Sequence, residues 1–250
     1  VFGKFENASQ WAAAHKEMGY RATYCPVNNT DSDDVIREYV KAVKENDLII
    51  AEVGAWNNPL VDDPAKRQEA NLYNQKQLEL AERIGARCCV NIAGSRGEQW
   101  DGPHPDNFSQ DTFDLIVETV RTIIDAVKPK NAFYTLEPMP WIFPHTADAY
   151  LDLLKAIDRK QFAVHLDPIN MVASPWIYYH SGDFLREFFS KLGPYIKSCH
   201  AKDIKLSGKL TVHLDEVRPG AGEFDYRTYL RELSKIDPDT PLMIEHLSDP

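Results

Sequence analysis

Short, mostly apolar runs alternate with longer amphipathic segments along almost the whole chain, and this alternation constrains the fold more than any single motif. The runs are Leu48 to Val53, broken only by Glu52, then Arg87 to Ile92, Phe133 to Leu136, Phe162 to Leu166, Tyr195 to Ser198 and Leu242 to Ile244. Between them lie segments with helical spacing of apolar residues: Asn7 to Met18, Asp31 to Lys44, Pro64 to Ile84, Ser109 to Val127, Thr146 to Ile157, Asp183 to Leu192 and Asp225 to Ile236. Their ends carry stop and start signals, such as Gly85 after Ile84 and Ser109 before Gln110. A strand that is apolar on both faces must be covered on both faces, which calls for a parallel sheet under crossover helices.

Counting Arg21 to Cys25 and a stub at Val1 to Gly3 gives eight strands. A doubly wound open sheet would need a glycine-rich turn after an early strand, and the chain has no GxGxxG. Eight strands in 250 residues fit the α/β class as a closed (β/α)8 TIM barrel. The expectation is one such domain over residues 1–250, with a clipped first strand and no helix after the last.

Composition serves mainly to exclude. The net charge is -10 and there is no Lys/Arg cluster, which disfavours nucleic acid as a partner. No apolar run is of membrane-spanning length. Cys25, Cys88, Cys89 and Cys199 lack CxxC spacing and read as small buried hydrophobes. With no secretory leader visible at Val1, this leads to the expectation of a cytoplasmic protein. A homo-oligomer or a partner subunit stays open.

The chemistry concentrates at strand ends. Leu136-Glu137-Pro138, Leu166-Asp167-Pro168, Cys199-His200-Ala201-Lys202-Asp203 and Ile244-Glu245-His246 each put a carboxylate or imidazole at the C-terminal end of a strand. That is the face on which such barrels carry their active sites. Taken singly, Glu137 or Glu245 would read as solvated or paired with a lysine. Four such groups on successive strands would repel one another without a cation, so Glu137, Asp167, His200 and Glu245 are expected to hold one divalent metal ion. Three oxygens and one nitrogen suit Mn²⁺ or Mg²⁺, with Co²⁺, Fe²⁺ and Zn²⁺ as further options.

Around these ends lie residues that fit a polyol. Trp56, Trp100, Trp141 and Trp176 fall in segments that read as loops after strand ends, where aromatic faces either wall a sugar ring or cap the barrel. Asn91 closes the fourth strand, Asn170 follows Asp167 by three residues, and His145 and Arg218 lie on loops of the same face. Alternation turns Lys202 to the same side as His200, as a charge for substrate. Asp203 reads as a group that orients Lys202 or a neighbouring loop. His165 reads as a hydrogen-bonded core histidine one layer deeper, and His246 as supporting or structural.

From Tyr134 to Leu247 the chain resembles the xylose-isomerase-like barrel superfamily, in its sugar phosphate isomerase/epimerase branch. The resemblance rests on Leu136-Glu137-Pro138, His165-Leu166-Asp167-Pro168-Ile169-Asn170, Cys199-His200-Ala201-Lys202-Asp203, Arg218-Pro219-Gly220-Ala221-Gly222 and Met243-Ile244-Glu245-His246. It implies a Mn²⁺-like ion on Glu137, Asp167, His200 and Glu245. It also implies a sugar isomerase or epimerase in which Glu137 and Glu245 exchange the substrate proton through a metal-stabilised cis-enediolate. Lys202 or Arg218 would then neutralise developing charge. Two departures matter. Asn170 stands where those epimerases resemble one another in a histidine, and Asn170, Asn91 and Val217 do not match the extra ligands of the three-zinc apurinic endonucleases. The alternatives are a metal-dependent lyase cleaving 3-keto C-glycosides on the same fold, and a non-catalytic sugar-binding barrel.

Overall fold

The parallel sheet expected from the apolar runs is the centre of the molecule. A computed structural model describes residues 4–246. Its strands begin β1 (Ala22–Tyr24), β2 (Ile49–Gly54), β3 (Cys88–Asn91), β4 (Phe133–Leu136), β5 (Phe162–Leu166) and β6 (Ile196–Ala201). A hairpin, β7 (Asp203–Leu206) and β8 (Leu214–Val217), precedes β9 (Leu242–Ile244). Among the described residues seven strands form one parallel sheet in the order β1-β2-β3-β4-β5-β6-β9. Its two ends meet: the Tyr24 hydroxyl donates to the Ile244 carbonyl at 3.5 Å, so the sheet curls into a nearly closed (β/α)8 barrel. The expected first strand at Val1 to Gly3, and whatever follows the last strand beyond His246, lie outside the described residues.

The long crossover segments form because their starts are capped. Ser32 caps α2 (Asp33–Glu45), Asp63 caps α3 (Pro64–Ile84), Ser109 caps α4 (Gln110–Val127), and Thr146 caps α5 (Ala147–Ile157). These follow α1 (Ala8–Glu17), capped by Asn7. Each such cap is worth about 1 kcal/mol. Gly85 ends α3 at φ 76, a left-handed position that side chains other than glycine, asparagine and aspartate resist.

The apolar core lies between sheet and helices. Ile50, Val53, Cys89, Tyr134, Leu136, Val164, Leu166 and Cys199 share one cluster with Leu78, Ile116, Ile123, Leu153 and Phe188. The barrel interior is different: Glu52, Cys88, Thr135, His165, Ser198 and His200 are each at most 1% exposed. They alternate with the core residues along strands that read as nearly continuous apolar runs.

Three local expectations need correction. Trp176 is not in a loop but on a short helix, α6 (Pro175–Tyr179), which Ser174 caps and Pro175 opens. It is followed by α7 (Ser181–Leu192), which starts two residues earlier than Asp183. The last crossover helix, α8 (Tyr226–Leu233), stops short of Ile236. The hairpin β7–β8 was not anticipated, because β8 is a short strand of mixed, largely exposed residues. Among the described residues no helix is long and apolar enough to cross a membrane.

Candidate metal centre

β4, β5, β6 and β9 are consecutive in the sheet, and each delivers one group to a common point. Glu137 and Asp167 directly follow β4 and β5, His200 is the penultimate residue of β6, and Glu245 directly follows β9. The ladder extends past the formal strand ends. Glu137 N–H donates to Asn91 O at 2.8 Å, and Glu245 N–H to Ala201 O at 3.4 Å, so both glutamates leave backbone that is already fixed. One donor atom from each of the four residues lies within 4.8 Å of the others. His200 Nδ1 is 3.0 Å from Glu245 Oε2, 3.5 Å from Glu137 Oε1 and 3.7 Å from Asp167 Oδ2.

The remaining atoms of these residues are occupied in a way that aims the set inward. Asp167 Oδ1 accepts from the backbone N–H groups of Ile169 (3.0 Å) and Asn170 (3.4 Å). Asn170 Nδ2 donates to Glu137 Oε1 at 2.8 Å. His200 Nε2 meets Glu52 Oε1 at 3.2 Å. What faces the common point is left over: His200 Nδ1, Asp167 Oδ2 and Glu245 Oε2 are buried, and among the described residues they are met within 3.0 Å by no group but one another and the Lys202 ammonium. Buried charged groups that share one cation are costly, and here they are converging atoms of metal-binding type. The set of one nitrogen and several carboxylate oxygens fits a divalent ion.

Lys202 occupies the edge of the same point. Its Nζ lies 2.7 Å from Asp167 Oδ2, 2.8 Å from Glu245 Oε2 and 3.5 Å from Glu137 Oε1, and the residue is 3% exposed. The electrostatics follow from burial and these neighbours. Burial, only partly opposed by His200 and Lys202, pushes the Glu137 carboxyl up to about 7. Burial acts the same way on Asp167 and Glu245, but His200 and Lys202 outweigh it. Asp167 falls far below the usual carboxylate range, and Glu245 to about 2. Burial disfavours the Lys202 ammonium, yet Asp167, Glu137 and Glu245 hold it protonated. Burial likewise opposes charge on His200, and Glu52 with the three facing carboxylates reverses that.

The other expected residues divide. Asn170 and Lys202 touch the donor set directly. Trp56 (42% exposed) and Trp100 (37%) stand half-open on loops after β2 and β3. Trp141 and His145 lie on the loop after β4, and Trp141 Nε1 and His145 Nδ1 are buried without partners. His145 packs against Phe108 and Phe143, and burial lowers its pKa. Asn91 is fully buried, and its amide is spent on Asn57 and Asn74. Arg218 is exposed, in the loop after β8. Asp203 fastens that loop: Oδ2 accepts from Gly220 N and Gly222 N, and Oδ1 from Ile204 N and Phe224 N. Gly222 is obligatory there, since a Cβ would lie 2.2 Å from Ile204 O.

Sequence reasoning missed the part played by Glu52, whose signal was a lone acid within Leu48 to Val53. It also missed Tyr24, a half-exposed phenol at the end of β1 whose pKa is raised by burial and by nearby Glu52, Glu245 and Glu137.

A parallel barrel with a convergent donor set at the C-terminal mouth defines a class, and the comparisons agree on the family. Residues 5–250 match the family of xylose isomerase-like TIM barrels, and the chain belongs to it. No curated relative matches the chain in sequence. Solved structures with the same fold include a xylose isomerase-like TIM barrel protein from Mycobacterium smegmatis in complex with magnesium. It is 18% identical, with 97% of this chain and 83% of that one covered at a TM-score of 0.68. D-psicose 3-epimerase from Clostridium cellulolyticum H10 with D-tagatose is 17% identical, with coverage of 97% and 80% and a TM-score of 0.67. The 3-keto-D-glucoside 4-epimerase of E. coli is 16% identical, with coverage of 98% and 90% and a TM-score of 0.68.

Proposed function

We propose that the protein is a sugar isomerase or epimerase that moves a proton at a carbon next to a carbonyl, with one divalent ion, Mn²⁺ by its donor set, held by Glu137, Asp167, His200 and Glu245. The observation that carries this reading is the convergence of one donor atom from each of four residues of metal-binding type, within 4.8 Å of one another, at the mouth of a barrel. Solved neighbours that act on ketoses and keto-glucosides support it. A bound ion supplies positive charge for the substrate's carbonyl oxygen, which lowers the barrier to proton removal. Glu137 and Glu245 are the bases: one takes the proton and the other returns it. Asn170 keeps Glu137 turned to the centre, and Lys202 offsets the negative charge that the carboxylates and an enediolate share. Trp56 and Trp100 offer flat apolar faces to a sugar ring.

The test is deuterium exchange. Ketoses, their phosphates and 3-keto glycosides incubated in D₂O with Mn²⁺-loaded protein are followed by NMR, and deuterium is expected next to the carbonyl. Trp56 and Trp100 are 42% and 37% exposed, faces that a substrate larger than one ring would use, which is the observation that favours the lyase reading. Aglycone release from a 3-keto C-glycoside without exchange into ketoses would replace the first reading with the second.

A further inference from the structure

Beneath the donor cluster lies a second layer of polar side chains that the proposed chemistry does not use. Glu52 is 1% exposed and projects into the barrel from β2. Its Oε1 is 3.2 Å from His200 Nε2, and its Oε2 is 3.5 Å from His165 Nδ1. His165 Nδ1 is 2.5 Å from Ser198 Oγ, which is 3.0 Å from Cys88 Sγ, which in turn donates to Ala51 O at 3.5 Å. The final acceptor is a backbone carbonyl, which cannot donate, so the direction of every bond follows. Cys88 gives its proton to Ala51 O, Ser198 gives its hydroxyl proton to Cys88, and His165 Nδ1–H points to Ser198. His165 Nε2 is buried without a partner, and burial lowers the ring's pKa well below the ordinary value, which favours the neutral imidazole.

Glu52 is left as an acceptor with one purpose toward His200. An imidazole has two nitrogens, and its ligating nitrogen is chosen by what the other one bonds. We propose that Glu52 is the positioning residue of the centre: by accepting the Nε2–H hydrogen bond of His200 it fixes the ring and leaves Nδ1, turned toward Glu137, Asp167 and Glu245, as the nitrogen that gives up its proton to a bound ion. This rests on the reading of those four residues as a metal centre. Glu52 touches neither the ion nor the substrate; it acts through His200. The register explains how it gets there. Glu52 pairs with Cys88 across β2–β3, and His165 with Ser198 across β5–β6, so all four project into the same layer one step below the mouth. Glu52, Cys88 and His165 also lie close enough to hold a metal themselves. The Ser198 hydroxyl that links His165 to Cys88, and a thiol pushed up to about 12 by burial, fit a hydrogen-bonded relay better than a second ion.

The experiment is Mn²⁺ titration by calorimetry of wild type, Glu52→Gln and Asp167→Asn, with the melting temperature of each metal-free protein as the control for folding. Glu52→Gln is expected to weaken Mn²⁺ binding by about 10–100-fold while its metal-free melting temperature stays close to wild type; Asp167→Asn is expected to lose binding. Nitrogen-15 spectra of the Mg²⁺-loaded wild type are expected to show His200 protonated at Nε2 and bare at Nδ1. Glu52→Gln binding within twofold of wild type, or an Nδ1-protonated His200, overturns the proposal. If Glu52→Gln does not fold, Glu52→Asp withdraws the carboxylate by one methylene and is read in the same way. Two ions per chain, with one lost in Cys88→Ser, would assign Glu52 to a second site and overturn it as well. A wild type that binds no ion sinks the metal-centre reading itself, a result distinct from all of these.

Discussion

Asn74 and Asn91, behind the first part of the barrel mouth, and Asp167 and His200, on the opposite part, are all fully buried. The first pair sits in a closed neutral network. Asn91 Nδ2 donates to Asn57 and Asn74, Asn74 Nδ2 to Asn57 and Ala70 O, and the Tyr134 hydroxyl to Asn74 Oδ1. The second pair sits in a charged cluster in which Asp167 Oδ2 faces His200 Nδ1 and the Lys202 ammonium. A satisfied neutral network fixes loops and rigidifies; a cluster of three carboxylates and an imidazole around one ammonium carries a cost that a bound cation would relieve. The depth of burial is the same, so the difference separates scaffold from chemistry within one mouth.

The largest effect that tests this contrast falls on turnover. Glu245→Gln keeps volume and shape but removes one of the two proposed bases. Activity on whichever sugar passes the exchange screen is expected to fall by about 10²–10⁴-fold. Asn91→Ala should leave turnover of the folded protein within a few-fold. Equal losses in both variants would erase the distinction.

Next comes Lys202→Met. In the metal-free protein this removes the cation facing Asp167 and Glu245 and leaves buried carboxylates uncompensated, at a cost of about 3–5 kcal/mol. Thermal melts should show a lower midpoint that saturating Mn²⁺ largely restores, since ion and ammonium face the same oxygens. The pH dependence has a definite sign. Glu245 is depressed from 4.5 to about 2, so its contribution is present above 4.5 and is lost as pH falls through about 2. Glu137 is raised from 4.5 to about 7, so it destabilises the metal-free fold increasingly as pH rises from 4.5 through about 7. An ion needs that carboxylate ionised. The stabilisation by Mn²⁺ should therefore grow between pH 6 and 8, and a flat difference in melting temperature over that range would break the assignment of Glu137.

On the scaffold side, Asn74→Ala removes an acceptor for Tyr134 and Asn91, and a donor to Asn57. Leaving such buried groups unpaired costs about 1–3 kcal/mol. Chemical denaturation should register that loss while Mn²⁺ affinity stays within twofold.

These two networks were not equally legible in the sequence. The runs ending in Glu137, Asp167, His200 and Glu245 stand out because a charge directly after an apolar strand is conspicuous, and the barrel rule says where such ends meet. Asn57, Asn74 and Asn91 carry no such mark. They lie on a loop, a helix and a strand, and only tertiary packing joins them, which is why Asn91 was expected to face substrate. Glu52 was hidden for the opposite reason, as one acid in an otherwise apolar strand whose partner His200 is 148 residues away. The β7–β8 hairpin escaped because β8 has no apolar run. It is held instead by pairing with β7, and Asp203 ties the loop that follows to β7.

The smallest expected effect concerns Asn170, the point where this chain departs from the histidine of the epimerases it resembles. Its Nδ2 donates to Glu137 Oε1 at 2.8 Å and thus favours the ionised form of a carboxyl that burial pushes up. Asn170→Ala deletes that donor, and Glu137 keeps only Lys202 at 3.5 Å and His200 at 3.5 Å as cationic neighbours. A lost hydrogen bond to a charged group is worth about 1.5–3 kcal/mol at most, and solvent entering the gap returns part of it. The pH at which Mn²⁺ binding reaches half its maximum should therefore rise by about one unit or less, with affinity at pH 8.5 nearly unchanged. A midpoint that does not move would mean that Asn170 serves the sugar and not the ligand. The two roles separate cleanly, because a sugar contact would change KM at every pH and leave the metal titration alone.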